Sequence, residues 1–461
     1  MSADARTGFH ALLGCPQCGA AGLRADAAGF TCDGCRAQFP LVGGLPWLLV
    51  EPQVRLGEWR QRGHFMLREL EQQAALALQG AERPEVLPPT RVRLEHLAAA
   101  SRRQSALLAE LLEPLDLQGA LARYETHLAL RTRTPASQDL HSYYANVHRD
   151  WVWGAAENQA SFELVVKLAA GQPLGRLLVP GAGAARLAYD VHERLRPDLT
   201  VALDINPLLV EVARRVTSGI DVELYEFPIA PRNAFDTAIL RRLTGMPVPA
   251  RAGLYLAYGD ALRPPLRPAA VDTVLTPWFV DIVTQDFTRV AAQMNRLLQP
   301  GGRWLNFGSL AFAQSDLALR HGPEEVVAIL AAQGFAVPTV IEVDLPYMRS
   351  PASRHGRTER VYAFAATKQS DVALPWADAD PLPPWLADPV LPVPALPYFQ
   401  TQALANRIYA FVMALIDGQR GIGAIAQYLV QQKLMAPAEA EQAVRAFLTQ
   451  LYEESRRRAQ F

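Results

Sequence analysis

Between Ser142 and about Lys368 short apolar runs alternate with stretches whose apolar residues recur at helical spacing, the pattern of a mostly parallel sheet covered by helices on both faces. "GRLLVPGAGAARLAYD", Gly175 to Asp190, shows the unit plainly: an apolar run enters a Pro-Gly-Ala-Gly turn and a helical pattern leaves it. "TVALDINP" predicts a second strand ending at Asp204, "LYLAYGDALRPP" a third ending on Gly259-Asp260-Ala261, and "VDTVLTPWFVD" a fourth. "MNRLLQPGGRWLNFGSL" predicts a helix stopped by Pro300-Gly301-Gly302 before a fifth strand. Upstream, Val54 to Leu130 reads as amphipathic helices broken at "ERPEVLPP", with no chemistry of their own. Downstream, Pro375, Pro381, Pro383, Pro384, Pro389, Pro392, Pro394 and Pro397 are too dense for a helix or a central strand and mark a boundary. The tail then gives three helical segments, broken at Asp417-Gly418 and at Pro437.

The expected organisation is a zinc ribbon over 10–50, a helical connector over 51–140, an α/β domain over 141–370, a proline-rich linker over 371–400 and a small helical domain over 401–461. A chain of 461 residues is expected to hold two to four folded units, at roughly one per 150 residues. Its net charge of -1 gives no electrostatic footprint for nucleic acid or an anionic membrane. A secretory leader and a bilayer-spanning run are both missing from the pattern, and a cytoplasmic protein is expected.

All four cysteines fall in "CPQCGAAGLRADAAGFTCDGC", as the knuckles Cys15/Cys18 and Cys32/Cys35. Four thiolates so spaced suit the corners of a tetrahedron around structural Zn2+. Two redox dithiols are the competing reading, and the segment's need for a staple favours the metal. From Leu13 to Val50 the chain resembles the small zinc-ribbon partner proteins of methyltransferases, which are also found fused to such enzymes.

The crevice poses the question of which nucleotide it holds. A dinucleotide fingerprint needs a third small residue three places after the second glycine, and the chain has Arg186 there. Gly181 and Gly183 alone bring backbone close to a ligand, while Asp204 stands at the distance where a carboxylate meets a ribose diol. Asp260 and Ala261 supply a carboxylate for an adenine amino group and a backbone amide for the ring. Another nucleotide on a Rossmann-like sheet remains an open alternative.

This succession of elements resembles the class I S-adenosylmethionine-dependent methyltransferases. More narrowly, "NVHRDW", "VPGAGAARLAYD", the insertion with "YEFPIAPRN", "AYGDA", "WFVD", "PGGRWLNFGSL" and "LPYMRSP" resemble the carnosine N-methyltransferase family, in that family's order. The resemblance implies that Asn146 and Arg149 bind the cofactor, the guanidinium facing the methionyl carboxylate. It also implies that Asp281, Tyr347 and Tyr362 hold an imidazole acceptor. Where the family has a further histidine, this chain has Ala313. Asp281 would accept one ring N–H, fixing the tautomer and freeing the other nitrogen as nucleophile; a helix cap is its bland alternative. Arg149 could equally be a solvated charge, and His141 and His148 are expected at the surface. The tail resembles PqqD-like winged-helix peptide binders, so the acceptor is expected to be a small molecule or a peptide presented by the tail. RNA methylation and non-catalytic peptide recruitment are the competing functions; near-zero charge and the acidic "PAEAEQ" of the tail argue against RNA.

Overall fold

The computed structural model describes residues 8–117, 143–244, 249–283, 285–314, 316–373, 385 and 390–458. The chain divides into two compact units, Met1–Leu374 and Pro375–Phe461.

The strands of the first unit are β1 (Arg24–Ala25), β2 (Gly29–Thr31), β3 (Gln38–Val42), β4 (Leu45–Leu48), β5 (Arg176–Pro180), β6 (Leu199–Asp204), β7 (Val222–Glu226), β8 (Ile239–Leu243), β9 (Leu254–Gly259), β10 (Val271–Pro277), β11 (Leu298–Gly308), β12 (Thr339–Tyr347) and β13 (Arg357–Thr367). Its helices are α1 (Pro52–Ala81), α2 (Pro88–Leu111), α3 (Tyr144–His148), α4 (Ala155–Ala169), α5 (Arg186–Leu195), α6 (Pro207–Thr217), α7 (Phe287–Leu297) and α8 (Pro323–Ala332). The second unit has α9 (Pro397–Ala414), α10 (Ile422–Gln431) and α11 (Pro437–Arg458), which close a small core around Val412, Ile425, Leu429 and Val444. No helix among the described residues is long and apolar enough to cross a membrane.

Eleven strands form one sheet in the order β1-β2-β3-β4-β9-β6-β5-β10-β11-β13-β12. The stretch β9-β6-β5-β10-β11 is parallel, and β13 and β12 close it as antiparallel strands. Strands β5 and β6 are buried almost throughout, which explains why they read as unbroken apolar runs rather than alternating ones. This is the mostly parallel, Rossmann-like α/β sheet expected from the sequence. Strand order reverses between β5 and β10, the switch point at which such sheets open a crevice beyond their carboxyl ends. The sharp start of α6 follows from "DINP": the Asn206 side chain accepts the Leu208 amide at 3.0 Å and Pro207 occupies the first helical position. Helix α7 ends at Leu297 and β11 begins at the next residue, so Pro300-Gly301-Gly302 lies inside the strand rather than ahead of it.

The ribbon is continuous with this sheet. Strand β4 pairs in parallel with β9, Trp47 opposite Tyr258 and Leu48 opposite Gly259. On the far side of the following loop, the Gly14 amide donates to Pro265 O at 3.1 Å and the Arg267 amide to Leu12 O at 3.0 Å. A Cβ on Gly14 would stand 2.9 Å from the Arg267 nitrogen, so only glycine allows this approach. The Asp260–Arg267 loop is therefore gripped twice by the ribbon.

Candidate functional site

The floor of the crevice is made of backbone. Gly181 and Gly183 both have positive φ, 64° and 57°. A Cβ on Gly181 would stand 2.6 Å from the Phe279 ring, whereas one on Gly183 would meet nothing within 4 Å, leaving open room against the loop. Asp204, buried at the end of β6, accepts the Gly183 amide on Oδ2 and the Asn206 amide on Oδ1, each at 2.8 Å. Burial raises its pKa above the usual carboxylate value, against the pull of the Asn206, Gly183 and Ile205 amides. Three amides leave one of the carboxylate's roughly four lone-pair sites for a ligand hydroxyl. Asp260 is also raised by burial, opposed by the Leu262 amide and then by Arg55 at the start of α1. Ala261 is buried beside it.

"NVHRDW" lies along the rim of this floor. It runs through α3 into a π-helical turn, Arg149–Trp153, a distortion common at functional sites. Trp151 Nε1 donates to Ala184 O at 2.9 Å, tying the turn to the glycine loop, and the Arg186 guanidinium packs 5.1 Å above the Trp151 ring. Arg186, which displaces the small residue of a dinucleotide fingerprint, also donates to Asp150 O at 3.1 Å and pairs with Asp190 at 2.8 Å. Asn146 is half-buried on α3. The Arg149 guanidinium donates through Nε and Nη2 to Oδ1 of Asp150, at 2.9 and 2.7 Å, and lies 5.8 Å from the Tyr347 ring. Burial alone pulls its pKa down, but Asp150, Tyr347 and Glu157 outweigh that and the net shift is upward.

His148, expected at the surface, is completely buried: Nε2 lies 3.2 Å from Tyr225 O, Nδ1 has no partner, and burial drives its pKa down to about 3. The apolar Val147 and Trp151 flanking it could have signalled an inward-facing turn. His141 lies outside the described residues, as do the connector between Ala120 and Ser142 and most of the proline-rich linker.

On the opposite wall Asp281 is buried, and its Oδ2 accepts the Ser309 hydroxyl at 2.7 Å and the Ala311 amide at 3.0 Å. It is not a helix cap; Asp286 caps α7, accepting the Thr288 amide at 3.2 Å. Oδ1 of Asp281 has no partner among the described residues. Tyr347, at the end of β12, stacks obliquely on Trp278 at 4.8 Å. Tyr143 has its pKa raised by burial, then by Tyr347, Asp281 and Asp204, so it stands within electrostatic reach of both walls. Tyr362 sits apart from them in β13, its hydroxyl 3.5 Å from Pro323 O, and its charged neighbours are Glu342 and Glu324. Ala313 is exposed in the loop after β11.

Two buried carboxylates with no sequence signature hold this wall. Glu157 of α4 accepts the Met348 and Arg349 amides at 3.0 and 2.9 Å. Glu226 of β7 accepts the Ser350 hydroxyl and pairs with Arg241 at 2.8 Å. Between the β7–β8 insertion and the Pro351–Ala352 turn lies a cavity of about 720 Å³, also lined by His96, Arg232, Phe235 and Arg241.

In the ribbon the four sulfur atoms lie within 4.8 Å of one another. Cys15–Cys35 and Cys18–Cys32 are each 3.6 Å apart, close to the edge of roughly 3.8 Å in a tetrahedron of thiolates bound at about 2.3 Å. Burial raises the Cys15 and Cys35 thiols, while the Ala20 amide pulls Cys18 down to about 7.

No family profile matches the chain, and no curated protein matches it. Among solved structures, it is similar to an S-adenosylmethionine-dependent methyltransferase of Thermotoga maritima, at 14% identity over 50% of this chain and 98% of that one, TM-score 0.30. It is similar to phosphoethanolamine N-methyltransferase 2 of Haemonchus contortus, solved with S-adenosyl-L-methionine, at 13% identity over 51% and 61%, TM-score 0.33. A Haloferax volcanii complex of the Trm112 methyltransferase activator with a methyltransferase gives 13% identity over 51% and 100%, TM-score 0.34. Scores this low identify neither acceptor nor activity, and the fold stands on the chain's own strand order.

Proposed function

We propose that the protein is an S-adenosylmethionine-dependent N-methyltransferase acting on an imidazole-containing small molecule or peptide, with Zn2+ held by Cys15, Cys18, Cys32 and Cys35. The observation that carries the cofactor reading is the buried Asp204 carboxylate, locked by backbone amides beside an open glycine loop at the sheet's switch point. Asp204 would hold the ribose, Asp260 and Ala261 the adenine, and Asn146 and Arg149 the methionyl end. Bound S-adenosylmethionine supplies an electrophilic methyl group.

Displacement at a sulfonium asks the acceptor for a free lone pair and alignment more than for a strong base. An imidazole, with pKa near 6.5, is mostly neutral at pH 7. Asp281, anchored through one oxygen, offers the other to one ring N–H and thereby turns the second nitrogen toward the methyl group. Tyr347 would flank the ring; a part for Tyr362 rests on the family resemblance alone.

Incubation with isotope-labelled S-adenosylmethionine and a panel of imidazole compounds, histidine peptides and RNA, read by mass spectrometry, tests the reading: a methylated imidazole nitrogen supports it, and label on RNA alone sinks it. Asp204→Ala should weaken cofactor binding by about 1.5–3 kcal/mol, the range for hydrogen bonds to a charged group. Unchanged affinity by calorimetry would remove the ribose assignment. Elemental analysis is expected to find one zinc per chain.

A further inference from the structure

Five consecutive residues, Val147 to Trp151, are wholly or largely buried, although an ordinary helix would turn some of them to solvent. Two of the five are oppositely charged neighbours. Arg149 and Asp150 have side chains only 16% and 7% exposed and face each other through a single carboxylate oxygen. Burying such a pair is expensive unless its remaining valences are used. Two remain. Among the described residues, Oδ2 of Asp150 and Nη1 of Arg149 have no partner. The pair is tied to the crevice from two sides: Asp150 O accepts from Arg186 and Asn158, and the next residue is bonded to the glycine loop.

A buried acid with one open oxygen beside a buried guanidinium with one open nitrogen is complementary to a zwitterion, one carboxylate and one ammonium on the same carbon. We infer that Asp150 is a cofactor-binding residue that receives the α-ammonium of the amino-acid end of S-adenosylmethionine, while Arg149 receives its carboxylate. The assignment rests on the cofactor reading above and adds a specificity to it: the site selects nucleosides that carry a free amino group.

Three ligands separate the groups, measured by calorimetry on the full chain. S-adenosylhomocysteine carries ammonium and carboxylate, decarboxylated S-adenosylmethionine carries the ammonium alone, and 5′-methylthioadenosine carries neither. Asp150→Asn should weaken the first two by about tenfold or more and leave methylthioadenosine within about twofold. Arg149→Lys should weaken S-adenosylhomocysteine more than the decarboxylated ligand. The decisive quantity is the preference for decarboxylated S-adenosylmethionine over methylthioadenosine, which does not depend on the fraction folded. If the Asn variant does not fold, Asp150→Glu must lower the same preference by displacing the carboxylate. A preference unchanged by these substitutions overturns the assignment and leaves Asp150 as a prop for Arg149; an equal loss for all three ligands overturns it in favour of a general role in folding. Wild-type protein that binds none of the three sinks the cofactor reading itself.

Discussion

The two walls of the crevice are built differently. On the side proposed for the cofactor, geometry is fixed by backbone: positive-φ glycines, amides donating to Asp204, and a loop gripped between β4 and Leu12–Gly14. On the side proposed for the acceptor it is fixed by buried carboxylates that reach across the chain, Glu157 to Met348 and Arg349, Glu226 to Ser350, and Asp281 to Ser309 and Ala311. A backbone cradle tolerates exchange of most neighbouring side chains, whereas a wall of clamps can be re-aimed one substitution at a time. Under the proposed function, the acceptor is accordingly the part of the chemistry most open to change.

The largest test of the comparison is Cys32→Ser. Cys32 is fully buried beside the other three sulfurs, and losing the metal it would help hold should unfold the ribbon. Because β4 is registered on Gly259 and Gly14 on Pro265, cofactor affinity should fall with it; retained affinity in a variant without zinc would show that the crevice stands without the ribbon. Next comes Asp281→Asn. The amide still accepts from Ser309 and Ala311 but cannot hold the same tautomer or offset charge developing on the ring, so transfer should drop about ten- to a thousand-fold with cofactor affinity intact. Equal turnover would place the acceptor elsewhere.

A smaller effect is expected of Glu157→Gln, which keeps one acceptor for two amides and should cost about 1–2 kcal/mol, with KM for the acceptor rising more than Kd for the cofactor. A change in cofactor affinity alone would dissolve the division between the walls. The smallest concerns His148. Its folded pKa, about 3, lies below the unfolded value near 6.5, so its stabilising contribution is complete above pH 6.5 and is lost as pH falls from there toward 3. His148→Phe should flatten that part of the Tm–pH curve, and an unchanged slope would assign acid lability to other groups.

The same division decides what the sequence disclosed. The strands β5, β6, β9, β10 and β11, the glycine turn, Asp204, Asp260 and the cysteine knuckles each occupy a few contiguous residues, because backbone turns and metal knuckles are local devices. Glu157 and Glu226 carry no such mark: the amides and hydroxyl they clamp lie over a hundred residues away, and a lone glutamate in a helix or strand reads as a solvated charge. The expectation that His148 faces solvent failed for a related reason, since this last residue of α3 packs against Tyr144 and reaches Tyr225 O on a strand distant in sequence. Asp150 stood inside a quoted motif, and only its burial gives it meaning.

The pairing of β4 with β9 also has a consequence in time. The knuckles close over a short span, so the ribbon can form early in synthesis, yet Trp47 must wait for Tyr258, which leaves the ribosome roughly 10–40 s later at about 5–20 residues per second. Throughout that interval an apolar strand edge is complete on one side and bare on the other. Trp47 and Leu48 therefore stay exposed longer the slower the chain is made, and the soluble yield is expected to fall when translation is slowed, which expression at matched levels from fast and slow codons would check.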